Sequence, residues 1–296
     1  MKRFKCWLAI SIFWLAISYQ PARADKVSLY IENDVLEEED GYYTQGTQIK
    51  YERDDHWGLK VGQLIYTPSS KSVSEPQYGD RPYAGWLYLN SYKDVYKKNY
   101  VNHYELGVGI VGDYSYADKA QIQVHKWLDN MAPKGWRYQL LTEPTIQAAC
   151  FRTYSFPLYH WMELRPSAGI NVGNAIINAE FGACIRMGYN LTKEFDPIIE
   201  TYRLAGGQEK FTHAYMFIGV NGKAFARNLF LDGNTFRKGD DVWTVDKEYF
   251  VADGIVGVCV GIYQFELTFT HIERTQEFKT QPRDNRFDSL QLTYKY

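Results

Sequence analysis

The last eight residues, Ser289-Leu290-Gln291-Leu292-Thr293-Tyr294-Lys295-Tyr296, alternate without a break between polar and apolar side chains. Successive side chains of a strand point to opposite faces. Leu290, Leu292, Tyr294 and Tyr296 therefore share one face, and Ser289, Gln291, Thr293 and Lys295 the other. Residues 264–270 repeat the pattern, with Phe265, Leu267 and Phe269 alternating with Gln264, Glu266, Thr268 and Thr270. Residues 27–31, 47–51 and 104–110 do the same, with glycine at some inward positions. After the first 24 residues no apolar run approaches the 18 residues that a spanning helix needs. Alternation of this kind, in a chain whose last strand ends on an aromatic residue, predicts an all-β antiparallel transmembrane β-barrel.

Counting alternating segments predicts strands near 26–33, 43–52, 57–67, 84–96, 100–112, 144–155, 158–173, 177–191, 211–226, 247–261, 263–274 and 287–296. That is twelve, an even number, as single-chain bacterial barrels require. The tight links at 155–158 and 261–263 read as periplasmic turns. The longer polar links at 35–42, 68–82, 113–143, 192–210 and 227–246 read as extracellular loops. Within the third, residues 117–131 lose the alternation and are rich in good helix formers. Val124, Trp127, Leu128 and Met131 make an apolar stripe at helical spacing, and Pro133 stops the segment. A short helix in an extracellular loop, lying on the barrel wall and making a groove there, is expected.

The amino terminus has a basic head, an apolar run from Cys6 to Ile17 and the sequence Ala22-Arg23-Ala24. These are the parts of a secretory signal peptide, so cleavage after Ala24 and a single barrel domain over 25–296 are expected. Cleavage removes Lys2, Arg3, Lys5 and Arg23 and no acid, leaving 29 cations against 35 acids and a net charge of −6. With no basic run, a nucleic-acid partner is not expected. Cys150, Cys184 and Cys259 are too few and too scattered for a disulfide framework or a metal knuckle. Aromatic residues reach 17%, led by 25 tyrosines, which suits a barrel with aromatic girdles at both interfaces.

Gln121 and His125 lie four apart and share one helix face. The other histidines, His56, His103, His160, His213 and His271, fall in or beside strands. Antiparallel pairing of the first two strands puts Asn33 and Asp34 at the same rim as Tyr43 and Thr44, across the acidic loop Glu37-Glu38-Glu39-Asp40. Read alone, Asn33-Asp34 is also ordinary turn chemistry, Thr44 a plain strand residue, and Glu37–Asp40 a solvated loop. Asp80 and Arg81 suggest a rim ion pair, while Trp86 and Trp136 suggest interface-belt or loop-packing aromatics.

The segments END at 32–34, YTQG at 43–46, GDRPYAGW at 79–86, QIQVHKW at 121–127 and PKGWRYQLLTEP at 133–144 occur in this order. RNLFLDGNTF at 227–236 and RTQEF at 274–278 follow. In order and spacing these resemble the lipid A 3′-O-deacylase family over essentially the whole mature chain. The resemblance implies a calcium-dependent ester hydrolase with chemistry like that of phospholipase A2, acting on lipopolysaccharide in the outer membrane. Carried over by position, it implies that Asn33 and Asp34 match a rim Asn-Asp pair, with Asp34 and Asn33 toward the metal. Thr44 matches an essential rim threonine, Gln121 and His125 a helix pair, and Lys71 a substrate-side lysine. Met131 stands where a family member has glutamate six residues after the histidine.

The chemistry is coherent on the residues themselves. Histidine has the pKa to activate a water near neutrality, and a hard cation on oxygen ligands can stabilise an ester oxyanion. The chain has no G-x-S-x-G, which weakens a serine-esterase reading. Two alternatives stay open: a non-catalytic barrel or channel, and a related calcium-dependent phospholipase-type esterase. Long side chains such as Lys50, Glu52 and Glu105 would fill the narrow lumen and count against a channel. No obligate protein partner is expected.

Overall fold

The computed structural model describes residues 25–34, 41–191, 212–237 and 243–296. The proposed signal peptide and the acidic run Glu37–Asp40 lie outside them. Thirteen strands form one antiparallel sheet: β1 (Lys26–Asn33), β2 (Tyr42–Glu52), β3 (Trp57–Thr67), β4 (Ala84–Tyr96), β5 (Tyr100–Val111), β6 (Glu143–Tyr154) and β7 (Phe156–Tyr159). The rest are β8 (Met162–Gly173), β9 (Ile176–Tyr189), β10 (His213–Asn228), β11 (Phe250–Ile262), β12 (Phe265–Arg274) and β13 (Asn285–Lys295). Neighbours in sequence pair except β6 and β7, β1 pairs with β13, and β6 pairs with β8, so the sheet closes into a ring. β7 continues β6 past Ser155 and pairs with β8, so the barrel has twelve strand positions.

The alternation that defines the strands also separates two environments. Val27, Leu29, Ile31, Leu106, Val108, Ile146, Val258, Leu290 and Leu292 point outward and are exposed. Keeping one such side chain in water rather than hydrocarbon costs roughly 1.5–3 kcal/mol, so a closed belt of them belongs in a bilayer. At the end with the short turns, Tyr159, Trp161, Tyr189, Tyr263 and Tyr296 form an exposed aromatic girdle.

The inward residues are polar and buried, and they pair with one another. Glu52 holds Lys26 at 3.1 Å and Lys50 at 3.2 Å, and accepts a hydrogen bond from the Tyr92 hydroxyl at 2.8 Å. Glu105 pairs with Lys60 and with His103 Nε2, at 2.9 Å for the latter. Such pairs tolerate burial only together, since removing one partner of a buried pair costs about 3–5 kcal/mol. Tyr92 lies over Gly58 and Tyr88 over Gly62, where a Cβ would overlap either ring. Towards the outer end Tyr43, Tyr66, Trp86, Tyr88 and Phe287 converge on Phe230 of the short helix α2 (Leu229–Asp232), which follows α1 (Ala117–Trp127) in the chain. They leave a cavity of about 60 Å³. The interior is a packed polar and aromatic core.

Several expectations need correction. Residues 155–158 are not a turn: the chain continues as β7, and the reversal falls at His160–Trp161. Pro157 is tolerated because β7 pairs on one side only, with β8. The expected link over 192–210 lies outside the described residues; the strand ends that flank it, Tyr189 paired with Ala214 and His213 paired with Gly261, stand at the end of the short turn after β11, not at the outer rim. The short extracellular turn is instead Asn174–Ala175. Asp80 and Arg81 are not an ion pair. The Asp80 carboxylate accepts backbone N–H groups of Ser69 and Arg81, and the Arg81 guanidinium pairs with Glu277 at 3.0 Å. Trp86 is neither belt nor loop residue but a lumen side chain, donating to Thr145 Oγ1 at 3.0 Å.

Candidate active site

Helix α1 seats on the outside of the barrel. On β3 the outward phase runs through Leu59, Val61 and Ile65, of which the first two are exposed and Ile65 is buried. What covers Ile65 is Ala117 at the start of α1, with Tyr83 and Trp136. The close seat is possible because the facing outward residue of β4 is Gly85, where a Cβ would overlap both Ala117 and Ser115. Gln63 fixes the approach by donating to the Ser115 carbonyl at 2.6 Å. Gly85→Val should therefore lift the helix and lower activity at least tenfold while the barrel still closes. Heat-modifiable gel mobility beside a turnover assay checks this.

The helix presents its polar face to the wall. Gln121 is 1% and His125 7% exposed, whereas Trp127, Leu128 and Met131 are 74%, 55% and 62% exposed. The helix is also shorter than the expected 117–131, ending at Trp127, with Asp129 at φ 58° turning the chain out of it. The turn brings the Met131 carbonyl back to His125 Nδ1 at 2.7 Å. A carbonyl can only accept, so Nδ1 carries the proton and Nε2 is left as the basic nitrogen. Gln121 Oε1 accepts from Trp136 Nε1 at 2.8 Å, which gives Trp136 a site role beyond loop packing.

The rim strands complete the site. A β-bulge between Tyr43 and Gln45 inserts Thr44 into β2, and its hydroxyl meets that of Thr67 at 2.7 Å. Thr67 shares the outward phase of Ile65, so Thr44 turns toward the same outer wall. The Asn33 amide donates to the Thr44 carbonyl at 3.2 Å. Asp34 is 1% exposed: Oδ2 accepts from the Gly41 N–H at 2.9 Å, and Oδ1 has no hydrogen-bond partner among the described residues. Burial pushes the Asp34 carboxyl up to about 7, against the pull of the Gly41 N–H and of Lys71. Burial likewise draws Lys71 down to about 8. It draws His125 below its ordinary value too, with the Lys71 charge adding to the effect. The Lys71 carbonyl accepts from the Lys134 N–H at 3.0 Å, tying that loop to the segment after α1.

Sequence reasoning missed Thr67, Gly85 and the Arg81–Glu277 pair. The first two sit on the outward phase of strands that were correctly placed. The pair joins residues 196 apart, beyond any local pattern.

The buried Asp34 Oδ1, without a hydrogen-bond partner among the described residues, and the neighbouring Asn33 amide are oxygen donors of the kind a hard cation such as calcium takes. A closed barrel with an exposed apolar belt and an aromatic girdle is an outer-membrane protein, here with a buried imidazole and carboxylate near its outer rim. The chain belongs to the family described as outer membrane protein LpxR, whose model matches residues 5–296; these are outer-membrane lipid A deacylases, ester hydrolases. Among solved structures it is similar to LpxR from Salmonella typhimurium, at 19% identity and a TM-score of 0.79, covering 91% of this chain and 99% of that one. It is also similar to the β domain of the Bordetella autotransporter BrkA, at 12% identity and a TM-score of 0.43, covering 92% of this chain and 98% of that one. No match is found among curated protein sequences.

Proposed function

We propose that this chain removes the 3′-linked acyloxyacyl group of lipid A in the outer leaflet, with His125 activating the attacking water. The observation that carries the reading is the placement of His125. It is dry, held by its Nδ1–H on the Met131 carbonyl, and seated on the outer wall where a lipid ester can arrive sideways from the membrane. His125 Nε2 takes the proton from water as it attacks the ester carbonyl, and returns it to the leaving alkoxide. Asp34 and Asn33 are the residues that would hold calcium, and a calcium ion there supplies positive charge to the tetrahedral oxyanion. Thr44 and Gln121 orient the water and substrate oxygens, and Lys71 faces the anionic part of the substrate. The exposed Trp127, Leu128 and Met131 suit contact with acyl chains. The same reading includes export by a signal peptide cleaved after Ala24.

Lipid A from cells with and without this chain, compared by mass spectrometry, tests the function. Loss of the 3′-linked acyl mass is expected, stopped by a chelator and restored by calcium. Unchanged lipid A with deacylated phospholipids would favour the phospholipase-type alternative instead. The packed, ion-paired lumen supports an enzyme over a channel.

The pH profile offers a separate check. At saturating calcium, where a ligated Asp34 stays ionised, neutral His125 is the active form and turnover falls as pH drops through its depressed pKa. Lys71 is cationic there and disfavours a second positive charge. Lys71→Met should raise the His125 pKa and move the acid limb of kcat to higher pH. A limb that stays put, or moves down, would remove Lys71 from the field of His125.

A further inference from the structure

We propose that His213, Cys259 and Glu266 form a metal site for a borderline-soft divalent cation of the zinc type, inside the periplasmic end of the barrel. It lies at the opposite end from the rim and does not depend on the reading of that site.

The register of β10, β11 and β12 builds it. Gly261 is the partner of His213 on one side and of Glu266 on the other. Those two side chains therefore face each other over a position with no side chain, and a Cβ at Gly261 would overlap the imidazole. Cys259, two residues back along β11, shares the inward face. His213 Nε2 and Glu266 Oε2 stand 3.0 Å apart, Cys259 Sγ lies 3.9 Å from the same nitrogen, and all three donor atoms fall within 4.8 Å of one another. Zinc–ligand bonds of about 2.0–2.3 Å in a tetrahedron put neighbouring donors about 3.3–3.6 Å apart, so the observed spacings bracket the required ones. All three residues are nearly fully buried.

The donor set selects the ion. One imidazole nitrogen, one sulfur and one carboxylate oxygen suit zinc and disfavour calcium, which prefers oxygen alone. Binding breaks the Cys259 S–H bond, forms a sulfur–metal bond and releases the proton to water. Lys295 Nζ, 3.0 Å from Glu266 Oε2, supplies positive charge there now and competes with the cation. The ion would tie three adjacent strands together beside the last turn of the barrel.

The test uses the untagged mature chain in detergent, stripped with a chelator and titrated with Co2+. One equivalent should bind and give a near-ultraviolet sulfur-to-cobalt charge-transfer band, displaced by Zn2+. Cys259→Ser should abolish the band, while Cys184→Ser and Cys150→Ser retain it. Glu266→Gln should weaken binding at least tenfold, and Lys295→Met should tighten it. Heat-modifiable gel mobility reports folding of each variant. If Cys259→Ser does not fold, the opposite responses of Glu266→Gln and Lys295→Met decide. No band in the folded parent, or a band that survives Cys259→Ser, overturns the proposal.

Discussion

His125→Ala is expected to leave a folded barrel that has lost at least about 10² of its turnover, the usual contribution of a positioned general base. The side chain lies on the outer wall, away from the lumen ion pairs, and its Nδ1–H is held by the Met131 carbonyl one turn beyond the helix. Removing it therefore leaves the sheet closed while taking away the dry basic nitrogen at the outer wall. His125→Gln is the sharper variant, since its amide can still donate to that carbonyl but cannot accept the proton from water. Purified His125→Gln enzyme with near-parental kcat would show that the water is activated elsewhere.

Asp34→Asn should have an effect of similar size and a different signature. The buried Oδ1 has no hydrogen-bond partner among the described residues, and the amide keeps its shape without its charge. Turnover should fall by about 10²–10³, the cost of losing one preorganised oxyanion partner, and the calcium midpoint should move to higher concentration. Thr44→Ser should be milder than Thr44→Ala, because the hydroxyl facing Thr67 survives in the former. If Asp34 and Thr44 merely finish their strands, both variants will keep their rate and calcium response, and that outcome would sink this rim as the metal side of the site.

The strands were legible because a barrel imposes period two on every segment, so β1, β3 and β4 fall where alternation put them. The rim pairing of Asn33 with Thr44 followed from the hairpin. The orientation of α1 was not legible. In water an amphipathic helix buries its apolar stripe, but this one seats on the outside of a barrel wall, by Ala117 against Ile65 of β3. Gln121 and His125 therefore face in while Trp127 and Leu128 face out. Strand parity puts the ends of β9 and β10 at Tyr189 and His213 opposite the rim, which a reading by link length and polarity obscured. Arg81 and Glu277 meet only because the ring brings distant loops over one mouth.

On the proposed reading of the site, a helix clamped to the outside of the wall gives this protein a two-dimensional substrate supply. Encounter takes place by lateral diffusion in the leaflet, so the concentration that governs rate is the mole fraction of lipid A at the surface, not its amount per volume. Adding detergent at fixed enzyme and fixed substrate spreads the lipid over more micelle surface and slows the reaction. Apparent Michaelis constants measured in micelles then describe the amphiphile mixture as much as the protein.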